Sequence, residues 1–356
     1  ELTGMIHVLI VDDSSVVRMT LGSILISALD FTLDTASDPI IAMRKIARRR
    51  PDVIILDLDM PHMDGLTFLR QLMSTDPIPV VICSGMEDRE SELGICALEE
   101  GAIDIISKPQ LGVRDVAEHS SQTIIEIVRS AAGAQLRRSV APIPFYRAWA
   151  PRGARQVRFT TDKIVAVAAS TGGTEAIRRL LLGMTPDCPG MVIVQHLPAA
   201  LTTAFASRLH EICRIEVREA QPGDKLTPGR ALIAPGNRHT IVRKRGAHYV
   251  VDVCDTPVVN HHRPSADVLF RSVAQAAGPN AVGVILTGMG NDGAAGLREM
   301  RQQGAATIAQ DEASCVVFGM PMNAIECGAV EDVLPLDEIA DAVLRSACAD
   351  RMALRQ

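Results

Sequence analysis

KIVAVAASTGGTEAIRRLL, from Lys163 to Leu181, decides the fold. Its run of Ile, Val and Ala reads as a strand buried on both faces, the mark of a parallel sheet. Ser170, Thr171, Gly172 and Gly173 follow, and small residues there permit a tight strand-to-helix turn. The rest, rich in Ala, Ile and Leu, reads as a helix. Two other apolar runs stop in the same way: MVIVQH (Met191–His196) and AVGVILTGMGND (Ala281–Asp292). In a parallel α/β sheet the C-terminal strand ends converge on one crevice, where ligands bind. The three runs therefore deliver Ser170, His196 and Asp292 to one place. A serine hydroxyl needs a base, and a histidine base needs an acid on its other nitrogen, so the set fits acyl transfer. Main-chain N–H groups at the helix start suit a developing oxyanion.

Each residue alone also has a plainer reading. Ser170 before Thr-Gly-Gly can be a turn or cap residue, His196 a structural histidine, and Asp292 an N-cap in an Asn-Asp-Gly turn. The Gly-rich turn also raises a nucleotide-phosphate loop. Against that, the G-x-G-x-x-G spacing is missing, and the next strand ends in Gln195-His196 rather than an acid that would hold a ribose. The chain order Ser…His…Asp differs from that of α/β-hydrolases, and no G-x-S-x-G elbow is present.

The chain's 356 residues suffice for two domains. At 47% hydrophobic and 22% charged the chain is globular, and with 3% aromatic residues its cores rest on aliphatic side chains. The net charge of -6 gives no global case for nucleic-acid binding. The 8 cysteines are scattered without a C-x-x-C pair, so they read as reduced thiols of a cytoplasmic protein. No apolar stretch is long enough to span a bilayer and no secretory leader is evident.

From Ile6 to about Val128, strand and helix patterns alternate five times, which implies a doubly wound (βα)5 unit over residues 5–128. Residues 129–161 carry many arginines, with Pro142, Pro144 and Pro151, and read as a basic interdomain linker. Residues 162–352 form a second doubly wound, mostly parallel α/β domain. There RALIAPGNRHTIVRKRGAHYVVDV (Arg230–Val253) suggests an inserted antiparallel hairpin.

Asp12, Asp13, Asp57, Ser84 and Lys108 all fall at strand ends of the first unit. Acids there can merely cap helices. Three carboxylates in one pocket, however, repel unless a cation joins them, and hard oxygen ligands suit Mg²⁺. A carboxylate can take up a phosphoryl group, with Lys108 as a point charge and Ser84 as a hydroxyl donor beside it.

The runs VDDS, DLDMPHMDG, Ser84-Gly85 and Lys108-Pro109 resemble the receiver domain of two-component response regulators. The resemblance implies that Asp57 is the phosphoacceptor. Asp12 and Asp13 then help bind Mg²⁺ together with the Asp59 main-chain carbonyl, and a cis peptide is expected at Lys108–Pro109. Many receivers carry a switching aromatic where this chain has Ile105, which points to a rearranged interdomain contact instead.

AASTGG, QHLP, IAPGNRH, RPSADVLF, LTGMGNDGAAG and QDEASCVVFGMP resemble the catalytic domain of the chemotaxis receptor protein-glutamate methylesterase. This implies Ser170 as nucleophile, His196 as general base and acid, and Asp292 as the orienting acid. It places oxyanion donors near Thr171 or Met289, and gives His239 and Arg263 two readings of equal weight, residues lining a substrate groove or structural turn residues. The expected activity is hydrolysis of glutamate γ-methyl esters on chemoreceptors, and glutamine deamidation, without a cofactor for the ester chemistry. A chemotaxis histidine kinase is the expected phosphodonor, with contact to the membrane only through receptors. Two other readings stay open: a hydrolase of this family acting on another receptor, or a phosphorylation-dependent binding or transcriptional regulator with an inactive output domain.

Overall fold

The computed structural model describes residues 4–60, 63–85, 88–109, 114–134 and 163–347. The first unit alternates β1 (Ile6–Val11), α1 (Ser15–Ile26), β2 (Phe31–Ala36), α2 (Pro39–Arg48), β3 (Val53–Asp57), α3 (Gly65–Thr75), β4 (Val80–Ser84), α4 (Asp88–Glu99), β5 (Asp104–Ser107) and α5 (Arg114–Ala132). All five strands are parallel, in the order β2-β1-β3-β4-β5. The order reverses between β1 and β3, which opens a crevice at their C-terminal ends. Polar side chains set the helix starts: Ser14, Asp38 and Asp64 each accept a main-chain N–H of the first turn.

The second unit runs β6 (Ile164–Ala169), α6 (Gly173–Leu182), β7 (Gly190–Gln195), α7 (Ala199–Ile212), β8 (Glu216–Glu219), β9 (Arg230–Ile233), β10 (His239–Arg245) and β11 (His248–Cys254). It continues with α8 (Ala266–Ala277), β12 (Ala281–Ile285), α9 (Ala294–Gln302), β13 (Ala306–Gln310), α10 (Met320–Glu326), β14 (Asp332–Leu334) and α11 (Leu336–Ala347). Seven parallel strands lie in the order β14-β13-β12-β6-β7-β9-β8. The chain winds from β6 towards β8, then crosses back to β12 on the other side. β6 is therefore flanked by β7 and β12, and the residues after these three strands meet at the switch point. β10 and β11 pair antiparallel as a separate two-stranded ribbon, so the expected hairpin is present but stands outside the main sheet. β9, which the sequence suggested for the hairpin, joins the parallel sheet instead.

α5 continues through Ala132, so the linker expected from residue 129 begins inside a helix. Residues 135–161 of that linker lie outside the described residues. Lys108–Pro109 is not cis; among the described residues the cis bond is Arg263–Pro264. A tertiary amide has little intrinsic preference, so its isomer is set by surroundings the sequence does not display.

Candidate active site

Ser170 and His196 follow β6 and β7 directly, Asp292 lies in the loop between β12 and α9, and the sheet order brings them together. His196 Nε2 lies 3.0 Å from Asp292 Oδ2. His196 Nδ1 is buried and has no hydrogen-bond partner among the described residues. The Asp292 contact fixes the tautomer: a carboxylate only accepts, so Nε2 carries the proton and Nδ1 keeps a lone pair. Nδ1 is therefore the basic nitrogen, and its bond to Ser170 is not closed in this structure. Ser170 itself is buried, 8% exposed.

Asp292 is held by more than histidine. Its Oδ1 accepts from Ser265 Oγ (2.7 Å), Asn260 Nδ2 (2.9 Å) and the Asp267 N–H (3.3 Å), and its Oδ2 from the Ala266 N–H (2.6 Å). Ala266 and Asp267 open α8, so the carboxylate sits on a helix N-terminus, where partial positive charge favours it. Burial alone would raise this carboxyl. The bonds and charge of His196, with the bonds of Asn260 and Ser265, overcome that and hold it far below the usual carboxylate range.

The serine turn is built by close approach. The Ser170 N–H donates to Thr287 O at 3.0 Å, and Gln195 Nε2 donates to Ser170 O at 2.8 Å. A Cβ at Gly288 would lie 2.8 Å from Ser170 Cβ and 2.3 Å from Met320 Sδ, so only glycine fits there. Thr287 Oγ1 accepts the N–H groups of Val316 and Val317, which ties the segment before α10 to this floor. The main-chain N–H groups of Thr171 and Met289, expected as oxyanion donors, make no hydrogen bond among the described residues.

His239 is a correction. It is fully buried, its Nδ1 accepts the Ser265 N–H (3.1 Å), and its Nε2 lies 3.0 Å from Pro257 O. With both ring nitrogens used inside the protein, it anchors the start of α8 and lines no groove. Arg263 is half-buried and braces loops, donating to Asn237 Oδ1 and Thr256 O. Gln195, Asn260 and His262 are site residues that sequence reasoning missed. The His262 ring stacks on His196 with centroids 3.7 Å apart and 7° between planes.

In the first unit, one carboxylate oxygen from each of Asp12, Asp13 and Asp57 lies within 4.8 Å of the others. Asp12 Oδ2 is buried without a partner, so the donor set suits a hard cation. Burial, then the neighbouring Asp57 charge, push the Asp12 carboxyl up to about 6. Burial raises Asp57 as well, opposed by Lys108, whose Nζ lies 2.9 Å from Asp57 Oδ2. Ser84 ends β4 within the same crevice and is buried.

The two units are in contact beside Ser170. The Gly172 N–H donates to Ile103 O at 3.2 Å, and Thr171 Oγ1 donates to Asp104 Oδ2 at 2.7 Å. The α4 and α7 helices pack together, with Ile95 and Leu98 facing Phe205 and Leu209 across a thin cleft. Arg208 grips Glu99 through two bonds of 2.8 and 3.2 Å. Ile105 is buried in an apolar cluster that spans both units.

A family model described as CheB methylesterase matches residues 165–343, and one described as response regulator receiver domain matches residues 8–117. A relative from Anaeromyxobacter dehalogenans, named protein-glutamate methylesterase/protein-glutamine glutaminase 1, is 53% identical over 344 residues, covering 95% of this chain and 98% of its own. A Geobacter metallireducens protein with the same name and the number 3 is 52% identical over 349 residues, covering 96% and 98%. Among solved structures, the Thermotoga maritima CheB methylesterase catalytic domain is 33% identical at a TM-score of 0.51. The match covers 52% of this chain and 99% of that one.

Proposed function

The chain belongs to the CheB methylesterase family, with a response regulator receiver domain ahead of the catalytic domain, and on that premise we propose how its residues divide the work. The protein is a phosphorylation-regulated protein-glutamate methylesterase and protein-glutamine glutaminase of chemotaxis. The receiver extends from residue 5 to the end of α5, and the catalytic domain takes up residues 162–352.

Ser170 Oγ attacks the ester carbonyl of a receptor glutamate while His196 Nδ1 takes its proton. The negative charge on the carbonyl oxygen is met by the main-chain N–H groups of Thr171 and Met289. As the intermediate collapses, His196 returns the proton to the departing methoxide, methanol leaves, and an acyl-enzyme remains. Water then attacks, losing a proton to Nδ1, which hands it to Ser170 Oγ as the acyl bond breaks, and the products are glutamate and free Ser170. With glutamine, ammonia leaves in place of methanol. Asp292 keeps Nε2 protonated and stabilises the imidazolium without itself taking the proton. Arg263 is the residue we assign to the groove that a receptor helix would enter.

The single observation that carries this reading is the His196–Asp292 bond, with a bare Nδ1, at the end of the strand beside Ser170. A Ser170→Ala protein assayed for methanol release from methylated receptor membranes tests it. Release at the wild-type rate would end the serine mechanism.

Asp57 is the phosphoacceptor, with a chemotaxis histidine kinase as donor. Mg²⁺ held by Asp12, Asp13, Asp57 and the Asp59 carbonyl would neutralise the incoming phosphoryl oxygens. Lys108 and Ser84 face the modified Asp57 and carry the change to β5, whose start rests on Thr171 and Gly172. Release of that contact uncovers Ser170. A shift of about 3 kcal/mol between docked and undocked states changes the accessible fraction over a hundredfold. The protein works in the cytoplasm and meets the membrane only through its receptors.

A further inference from the structure

We propose that His262 is a positioning residue for the ester chemistry, a π-face laid on the catalytic imidazole to stabilise its protonated form. The inference rests on the reading of His196 as the base.

The observation is the parallel stack, 3.7 Å between centroids and 7° between planes. Its support is a dedicated turn. Val259 and His262 exchange both main-chain hydrogen bonds, at 3.2 and 2.9 Å. Between them Asn260 and His261 have φ of 51° and 64°. Two successive positive φ values inside a doubly bonded pair make a type I′ turn, which Asn and His tolerate better than most residues. One turn thus serves both halves of the acid–base pair. Asn260 Nδ2 donates to Asp292 Oδ1 and to Asp267 Oδ2, both at 2.9 Å, while His262 covers the face of His196.

The chemistry of the pair is set by the positions of the charges. During acyl transfer His196 gains a proton at Nδ1 and becomes an imidazolium. Its Nε2–H already points at Asp292, and its Nδ1–H points at the reacting oxygen. Only its faces remain. A cation is attracted to a neutral π-face, so the stacked ring favours the charged form over the neutral one. That preference acts on the transition state more than on the bound substrate, and so appears in kcat. The stack also blocks rotation of the His196 ring away from Asp292. Other charged groups around the pair are Asp292 after β12, Asp104 at the start of β5, Asp267 at the start of α8, and Arg263 next along the chain. The Asp104 carboxyl feels the His196 charge. Asp292 and His196 share a hydrogen bond, so the positive charge that forms during the reaction rests on His196, beside that carboxylate.

The test compares His262→Phe, which keeps a π-face, with His262→Leu, which keeps bulk without one. Both are made in the full chain, activated with a small phosphodonor and Mg²⁺, and assayed on methylated receptor membranes. His262→Leu is expected to lose about tenfold in kcat with KM within twofold, and to move the acid limb of the pH profile to lower pH. His262→Phe is expected within about threefold of wild type with the acid limb restored. A Leu variant with wild-type kcat overturns the proposal. So does a Phe variant as slow as the Leu variant, or a slow Leu variant whose acid limb has not moved. A His196→Ala arm separates this from the parent reading. Hydrolysis that survives His196→Ala sinks the assignment of the base, whereas loss there with no effect of His262→Leu sinks the stack alone.

Discussion

Replacing Asp104 with Asn should tighten the docking of the two domains and suppress the activity of the unphosphorylated protein. Asp104 opens β5 in the receiver, is buried, and accepts the Thr171 hydroxyl beside Ser170. Burial pushes its carboxyl up to about 6, against the Thr171 hydroxyl, the Ile105 N–H and the His196 charge that pull it down. The ordinary value applies once the domains part. A group whose value is raised in the docked state favours docking when protonated. That help is complete below the ordinary value of 3.8 and is lost as pH rises through about 6. Above that point the ionised carboxylate opposes docking by about 3 kcal/mol, or roughly a hundredfold in the equilibrium. Asn is neutral at every pH. It keeps its oxygen on the Ile105 N–H and turns its amide to the Thr171 hydroxyl. The ratio of wild-type to Asp104→Asn basal methanol release should therefore approach a hundredfold at pH 8, and be about tenfold smaller at pH 5. A variant as active as wild type at pH 8, or a ratio that stays flat with pH, would refute the reasoning.

Arg208→Ala should raise basal activity, because it removes the bidentate grip on Glu99 across the α4–α7 contact. The pair is partly exposed, so the gain is about 1 kcal/mol or fivefold, and it should shrink in high salt. Gly288→Ala should cut kcat by more than tenfold and lower the melting temperature, since its Cβ would press on Ser170 Cβ and Met320 Sδ. Overpacking of this kind costs about 1–3 kcal/mol, which a thermal melt will read. Gln195→Leu leaves Ser170 O without its side-chain donor in a buried turn, at a cost of about 1–3 kcal/mol, and kcat should fall while KM stays within twofold. Unchanged melting for Gly288→Ala or unchanged kcat for Gln195→Leu would show that the serine turn does not depend on these contacts.

The strand ends were legible because period and composition report them directly. Unbroken aliphatic runs mark β6, β7 and β12, and a parallel sheet leaves few places for the residues after each strand. Non-local contacts left no such trace. His239 and His196 both sit where apolar runs meet loops, yet one is a buried anchor and the other is the proposed base. Only the Ser265 N–H and the Asp292 carboxylate distinguish them. Asn260 and His262 reach the site through two positive φ values in a short turn, without an Asn-Gly signal to announce it. Gln195 was readable as the end of β7, but its bond to Ser170 O depends on how β6 and β7 register. The docking of Asp104 on Thr171 pairs residues 67 apart that share no sequence pattern.

The central claim is that Ser170 catalyses ester hydrolysis under the control of Asp57. Methanol release from methylated receptor membranes, measured with and without a small phosphodonor and Mg²⁺, tests it for wild type and Asp57→Ala. Wild type should rise by tenfold or more on phosphorylation, as expected from a docking shift of a few kcal/mol, and Asp57→Ala should stay at the basal rate. Activation that persists in Asp57→Ala would contradict the account.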